Sequence, residues 1–312
     1  QPRHRHYPCM RLAAVALLFR PPGRDSELAE HTRKPLAFGF SPCPNDTFIF
    51  HALVHGLAAE LGLDLALPIL ADVETLNEWA MRGRLDVTKL SFHALGHVLD
   101  DYVLLGSGSA LGRGCGPLLI SKKSMARSRI PDLRIAVPGR LTTAAMLLKL
   151  YEPHCKHLIY MGFDEIMPAL ARGEVDAGVI IHESRFTYQK EGFVIHQDLG
   201  SWWEETSGCP IPLGGIVARR SLGRDLIALI EKGIRASVQR AFKDPNASRE
   251  YIRLHAQEID EQVRRDHIGL YVNDFSVDLG REGQHAVEVF FKRGREAGVL
   301  PDSSLFEPFT NI

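Results

Sequence analysis

Three short stretches carry residues whose types and spacing could do chemistry. In "AGVIIHES" an apolar run ends on His182 and Glu183. An imidazole with an ordinary pKa near ~6.5 can take a proton at neutral pH. The run reads as a buried parallel strand, and the C-terminal ends of such strands are where α/β folds bind ligands. From position alone, His182 reads equally as a general base and as a satisfied histidine at a strand end. In "VPGRLTTAAMLLKL" a strand ends in Pro138-Gly139, and Thr142 and Thr143 open an Ala/Leu/Met helix. Free N–H groups and the positive dipole end make such a terminus an anion site, with threonine hydroxyls as extra donors. A plain threonine cap explains the same residues; the Pro-Gly turn shifts the reading modestly toward carboxylate binding. In "SPCPNDTFIF" Pro42 and Pro44 stiffen the chain around Cys43. Asn45 or Asp46 is expected to cap the helix that follows. Cys43 reads as a small packing residue, because no cation lies near it in sequence to favour a thiolate.

Other candidates carry less. "GSGSALGRGCGP" gathers Gly106, Gly108, Gly112, Gly114 and Gly116, but matches neither dinucleotide nor Walker spacing, which disfavours nucleotides. It suits a hinge or a loop pressed against a ligand, with Arg113 either meeting an anion or simply solvated. Among the 14 histidines, His51/His55 and His93/His97 have i, i+4 spacing that could place two ligands on one helix face. Neither pair has a third ligand, so no metal is expected. Trp202 and Trp203 could wall an aromatic pocket or pack a junction.

These residues need a frame. From Leu36 onward, strand-like runs (36–40, 63–70, 85–88, 102–106, 117–121, 133–137, 157–161, 177–181 and 213–218) alternate with helical patterns near 46–57, 73–82, 92–99, 142–151, 164–172 and 185–190. That rhythm predicts βαβ units and mostly parallel sheets. Beyond Ser221 long charged helices take over, through about residue 297. "MRGRLDV" and "LARGEVDAG" echo one another, with Gly83 and Gly173 where a helix C′ glycine belongs and Asp86 and Asp176 opening the next strand. A common αβ turn explains the echo; so do two similar lobes facing one crevice. The second reading gives an α/β, two-lobed architecture like that of bilobal solute-binding proteins. Its larger lobe would use 35–114 and 209–312, and an inserted smaller lobe 115–208.

Composition narrows the function. The chain has 312 residues, 45% hydrophobic and 24% charged, with a formal net charge of −1, so neither nucleic acid nor an anionic membrane is an expected partner. No apolar run approaches the ~20 residues that span a bilayer. Five scattered cysteines, none in a C-x-x-C pair, fit a reducing compartment. Residues 1–34 hold one apolar run, Leu12–Phe19, between basic flanks and without an A-x-A cleavage site. They are expected to form a poorly ordered extension, with Met10 as an alternative start and an export signal as the lesser reading.

Eight segments in order then match a known pattern. "FGFSPCPNDTFIFHALVHG", "DVTKLSFHAL", "GSGSALGRGCGPLL", "VPGRLTTAAMLL", "GVIIHESRFTY", "DLGSWWEETSGCPIPLGGI", "YIRLHAQE" and "HIGLYVNDFSVDLG" together resemble the 1,4-dihydroxy-6-naphthoate synthases of the futalosine route to menaquinone, over about residues 36–297. The resemblance implies a periplasmic-binding-protein type II-like fold with a ligand cleft between the lobes, turned into a cytoplasmic enzyme. It implies a carbon–carbon lyase that cleaves cyclic dehypoxanthinyl futalosine to 1,4-dihydroxy-6-naphthoate without metal or redox cofactor. The family's catalytic base falls on His182, and its ligand-contacting positions on Ser91, Thr142 and Thr143. Lys89, Asn45 and Gly112 complete the expected substrate-binding set. The expected partner is a small-molecule substrate; a homodimer is allowed and not required. The alternatives are an extracytoplasmic solute-binding protein for a small carboxylate, and chorismate dehydratase on the same fold.

Overall fold

The computed structural model describes residues 34–257, 260–302 and 309; apart from Lys34, the expected N-terminal extension lies outside the described residues. Six strands, β1 (Phe38–Phe40), β2 (Ile69–Leu70), β3 (Val87–Ser91), β4 (Tyr102–Leu104), β5 (Ala110–Gly112) and β11 (Ile211–Arg219), form one sheet in the order β2-β1-β3-β11-β4, with β5 also paired to β11. Five more, β6 (Leu118–Ser121), β7 (Arg134–Val137), β8 (His157–Tyr160), β9 (Ala177–Ile180) and β10 (Val194–Asp198), form a second sheet in the order β10-β6-β9-β7-β8.

Read from its other edge, the second sheet repeats the first. β2-β1-β3 and β8-β7-β9 are both parallel triplets, and each is followed by an antiparallel strand, β11 against β3 and β6 against β9. Both antiparallel strands are the first the chain makes after crossing from the other sheet, so each enters from the opposite end. This is why the sheets are mixed rather than mostly parallel as expected. The sequence echo lies inside the repeat. Gly83 (φ 59°) and Gly173 (φ 75°) take the left-handed conformation that lets a helix stop and turn. Asp86 then accepts the Ala37 N–H at 2.8 Å, and Asp176 accepts the Arg134 N–H at 2.9 Å, tying each strand start to its parallel neighbour.

The sheets share a core. Leu90, Phe92 and Tyr102 belong to the same buried cluster as Leu119, Ile135 and Leu147. The helix Gly280–Glu296 closes it with Ala286, Val287, Phe290 and Phe291, an i, i+1, i+4, i+5 stripe facing inward. Three elements run against the sequence reading. β5 forms inside the glycine-rich stretch, which has little strand propensity of its own and is held by pairing to β11. β10 is an edge strand with an exposed start, and the tryptophan segment is a helix, Leu199–Ser207, capped by the Asp198 carboxylate on the Gly200 and Ser201 N–H groups. No described helix is long and apolar enough to cross a membrane.

Candidate active site

The Pro-Cys-Pro loop leaves β1 and becomes the helix Pro44–Ala52. Cys43, not Asn45 or Asp46, is its N-cap, extended at φ −62° and ψ 151°, with Pro44 in the first position where a missing N–H costs nothing. That frees Asp46 for a different task. One of its oxygens accepts the Ser41 N–H (3.1 Å) and hydroxyl (2.8 Å); the other accepts from Asn45 Nδ2 (2.9 Å) and Lys89 Nζ (2.6 Å). The Lys89 and Asp46 side chains are 6% and 1% exposed. A carboxylate that dry depends on hydrogen bonds to both its oxygens, which these four donors supply. The Asn45 carbonyl oxygen in turn accepts from Nε2 of the fully buried His267, whose ring packs 4.7 Å from Tyr271 one turn on along the helix Glu261–Tyr271.

Ser91 closes β3 beside Lys89. Its N–H donates to Asn77 Oδ1 (2.8 Å) and its hydroxyl accepts from Asn77 Nδ2 (3.1 Å), so a buried asparagine of the helix Val73–Met81 fixes both ends of the serine. The same helix reaches the second half of the molecule. Glu74 accepts the backbone N–H groups of Arg140 (2.5 Å) and Leu141 (3.0 Å), and burial raises its carboxyl pKa against those bonds.

From the second sheet come the threonines and His182. Thr142 is the N-cap of the helix Thr143–Tyr151, its hydroxyl accepting the Ala145 N–H at 3.2 Å. Thr143 donates its hydroxyl to the Leu213 carbonyl at 2.6 Å. Both hydroxyls are thus engaged within the protein, and Thr142, Thr143 and Ala144 of this terminus line the cavity. His182 follows β9 with φ 55°, the one left-handed non-glycine residue among those described. Its ring is flanked by Phe163, edge-on with centroids 5.0 Å apart, and by His267, nearly parallel at 5.9 Å. Burial, only partly opposed by the Asp46 carboxylate, lowers its pKa to about 4. The imidazole is therefore neutral at neutral pH, with a lone pair free to accept a proton. His267 is held neutral too, by burial first and by His182 beside it.

Asn45, Lys89, Ser91, Thr142, Thr143 and His182 line one cavity, with about 630 Å³ of empty space including its mouth. Asp46, Cys115, Tyr271, Leu213 and Gly214, which the sequence reading did not single out as site residues, line it as well. Gly112 does not: it lies two residues along β5 from lining Ala110, pressed against Asn273 and Cys115. Arg113 is half exposed on the surface, paired with Glu282 and Glu204. Cys43 is buried, and burial followed by the nearby Glu183 carboxylate pushes its thiol well up, against nucleophilic use.

The remaining candidates are structural. Trp203 is fully buried, donates to the Pro210 carbonyl at 3.2 Å and packs edge-on against Phe290; Trp202 packs on Tyr151. His51 and His55 stack at 4.3 Å against Tyr251. His93 donates from Nδ1 to the Thr142 carbonyl at 3.1 Å, joining the two halves beside the cavity.

Two sheets of matching order with one cavity lined from both are the build of the periplasmic-binding-protein-like folds, and solved structures agree. A protein of Archaeoglobus fulgidus superposes with a TM-score of 0.80 at 31% identity, covering 86% of this chain and all of that one. The periplasmic aliphatic sulphonate binding protein of Escherichia coli superposes at 0.59 with 10% identity, covering 87% and 90% of the two chains. At the sequence level residues 36–296 match the family model described as menaquinone biosynthesis, and the chain is an enzyme belonging to that family. More particularly, it is similar to two proteins named 1,4-dihydroxy-6-naphthoate synthase: that of Thermus thermophilus, 50% identical over 86% of this chain and 97% of the relative, and that of Streptomyces coelicolor, 46% identical over 85% and 95%.

Proposed function

We propose that this chain converts cyclic dehypoxanthinyl futalosine to 1,4-dihydroxy-6-naphthoate, with His182 as general base. The observation that carries the reading is the placement of a neutral imidazole, in a backbone conformation that disfavours it, on a cavity also lined by the buried Asp46–Lys89 pair and Ser91. Non-glycine residues persist in left-handed backbone where their surroundings over-determine them, and such positions cluster at active sites.

In this reading the substrate carboxylate lies against the N-terminal turn of the helix Thr143–Tyr151, where backbone N–H groups and the dipole favour an anion. The ring system then reaches His182, which removes a proton. The electron pair released joins the ring as it becomes aromatic, and the bond to the sugar-derived fragment breaks with its electron pair leaving on the fragment, which takes a proton. The chemistry asks for a base, orientation and exclusion of water. In this reading the chain forms two lobes, 35–114 with 209–312 and 115–208, whose approach supplies the last two. The four described cysteines are free thiols, which fits a cytoplasmic setting.

Incubating the purified chain with cyclic dehypoxanthinyl futalosine and analysing products by mass tests the reaction. Release of 1,4-dihydroxy-6-naphthoate is expected, and turnover of chorismate instead would replace this reading with its sibling. Equal turnover by a folded His182→Ala variant would remove the histidine from the mechanism.

A further inference from the structure

Cys43, His182 and Glu183 place a sulfur, an imidazole nitrogen and a carboxylate oxygen all within 4.8 Å of one another. The proposed reaction uses only the imidazole. The trio joins the two sheets, because Cys43 follows β1 while His182 and Glu183 follow β9. Each member is held from elsewhere: Cys43 between two prolines at a helix start, His182 by its left-handed backbone, Glu183 in a setting that leaves it 8% exposed. Donors bound to one tetrahedral cation stand about 3.5 Å apart, given metal–ligand distances of about 2.0–2.3 Å. Small side-chain rotations would bring this set onto a single ion.

We propose that Cys43, His182 and Glu183 form an inhibitory site for a borderline-soft divalent cation, zinc or cobalt(II), that clips the cleft shut. One sulfur, one nitrogen and one oxygen suit such ions and are foreign to magnesium and calcium, which take oxygen alone. Binding releases one proton, from the Cys43 thiol to solvent, as the S–metal bond forms; no oxidation occurs. The ion's charge reverses the local preference that keeps the thiol protonated without it. Water fills the fourth position. Because the ion occupies the lone pair of His182, turnover stops; that consequence rests on the general-base reading, whereas binding itself does not.

Cobalt(II) titration of the full chain, followed by near-ultraviolet absorption, reads the site without any assay. A thiolate-to-cobalt band saturating at one ion per chain is expected, absent in Cys43→Ser. In parallel, zinc buffered at fixed free concentrations should inhibit turnover, with the inhibitory concentration raised ~10-fold or more in Cys43→Ser and in Glu183→Gln, on the scale that disturbing a metal site commonly costs. Should Cys43→Ser fail to fold, Cys43→Ala and Glu183→Gln carry the same comparison. Unchanged zinc sensitivity in the folded variants, or a cobalt spectrum without the thiolate band, overturns the proposal. A band that appears while zinc leaves turnover intact overturns its inhibitory part together with the base role of His182.

Discussion

β3 and β9 enter their sheets in the same way and leave them differently. Each is preceded by an Arg-Gly pair whose glycine is left-handed, and by an aspartate that accepts a backbone N–H from the neighbouring strand. At its far end β3 delivers Ser91, whose N–H and hydroxyl are both bonded to Asn77, beside Lys89 locked on Asp46. β9 instead runs into His182, in left-handed backbone and flanked by ring contacts to Phe163 and His267. The repeated architecture thus carries a buried, ion-paired floor on one half and a strained residue on the other. Strain of that kind costs of order 1–3 kcal/mol and marks where a fold gives up stability for a function.

Two substitutions at His182 would break the contrast most visibly. Alanine should lower kcat by ~10²–10⁴-fold, the usual contribution of a positioned base. Glycine should lose as much activity and yet melt no earlier than alanine, because it accepts φ 55° without cost. A glycine variant less stable than the alanine one would mean that the backbone there is not under strain. On the floor side the expected loss is in folding. Lys89→Met leaves the Asp46 carboxylate buried without its cation, which costs about 3–5 kcal/mol. Chemical denaturation reads it, and adding Asp46→Asn to the same chain should restore part of the loss.

How much of this was legible beforehand follows the same line. The repeat could be read from Gly83, Asp86, Gly173 and Asp176 because turns need particular residue types at particular places. His182 could be read as a strand-end histidine, because the apolar run before it is unambiguous. Lys89, Ser91 and Asn45 were expected at the site, but the bonding that joins them could not be read. Asp46 has the composition of a helix cap, and only tertiary structure turns it to Lys89, 43 residues on. His267 lies 222 residues from Asn45, its hydrogen-bond partner, and neither its i, i+4 spacing to Tyr271 nor its place in a family-like segment reveals that partner. β5 was hidden for the converse reason: pairing to β11 makes a strand where local propensity offers none.

A smaller effect separates two histidines that share an electrostatic fate. Burial lowers both His182 and His93 to about 4, although His93 spends its Nδ1–H on the Thr142 carbonyl. Between about 4 and the ordinary value near ~6.5, the unfolded chain binds protons that the folded one does not. Stability should therefore fall as pH drops through that window, by of order 1–3 kcal/mol from each group, and level off below it. Melting curves from pH 7 to 4 test the sign. His93→Gln and His182→Ala should each flatten the curve. In the wild type the acid limb of kcat/KM should lie near 4 rather than 6.5, and His93→Gln should leave it in place. A limb that moves with His93 would transfer the titration to the structural histidine.

The smallest predicted effect tests whether the two halves are independent where they look most alike. Asp86 accepts the Ala37 N–H in a partly buried setting, while Asp176 accepts the Arg134 N–H and guanidinium in an exposed one. Asp86→Ala strands a donor that water reaches poorly and should cost about 1–2 kcal/mol. Asp176→Ala should cost less, because solvent can take over the freed N–H and screens the ion pair. The two aspartates open strands in different sheets and share no partner, so the double variant should lose the sum of the single losses to within about 0.5 kcal/mol. A coupling well beyond that would mean that the two strand starts report to a common element. The shared Leu90–Phe92–Leu119–Ile135 core is the contact through which such coupling would pass.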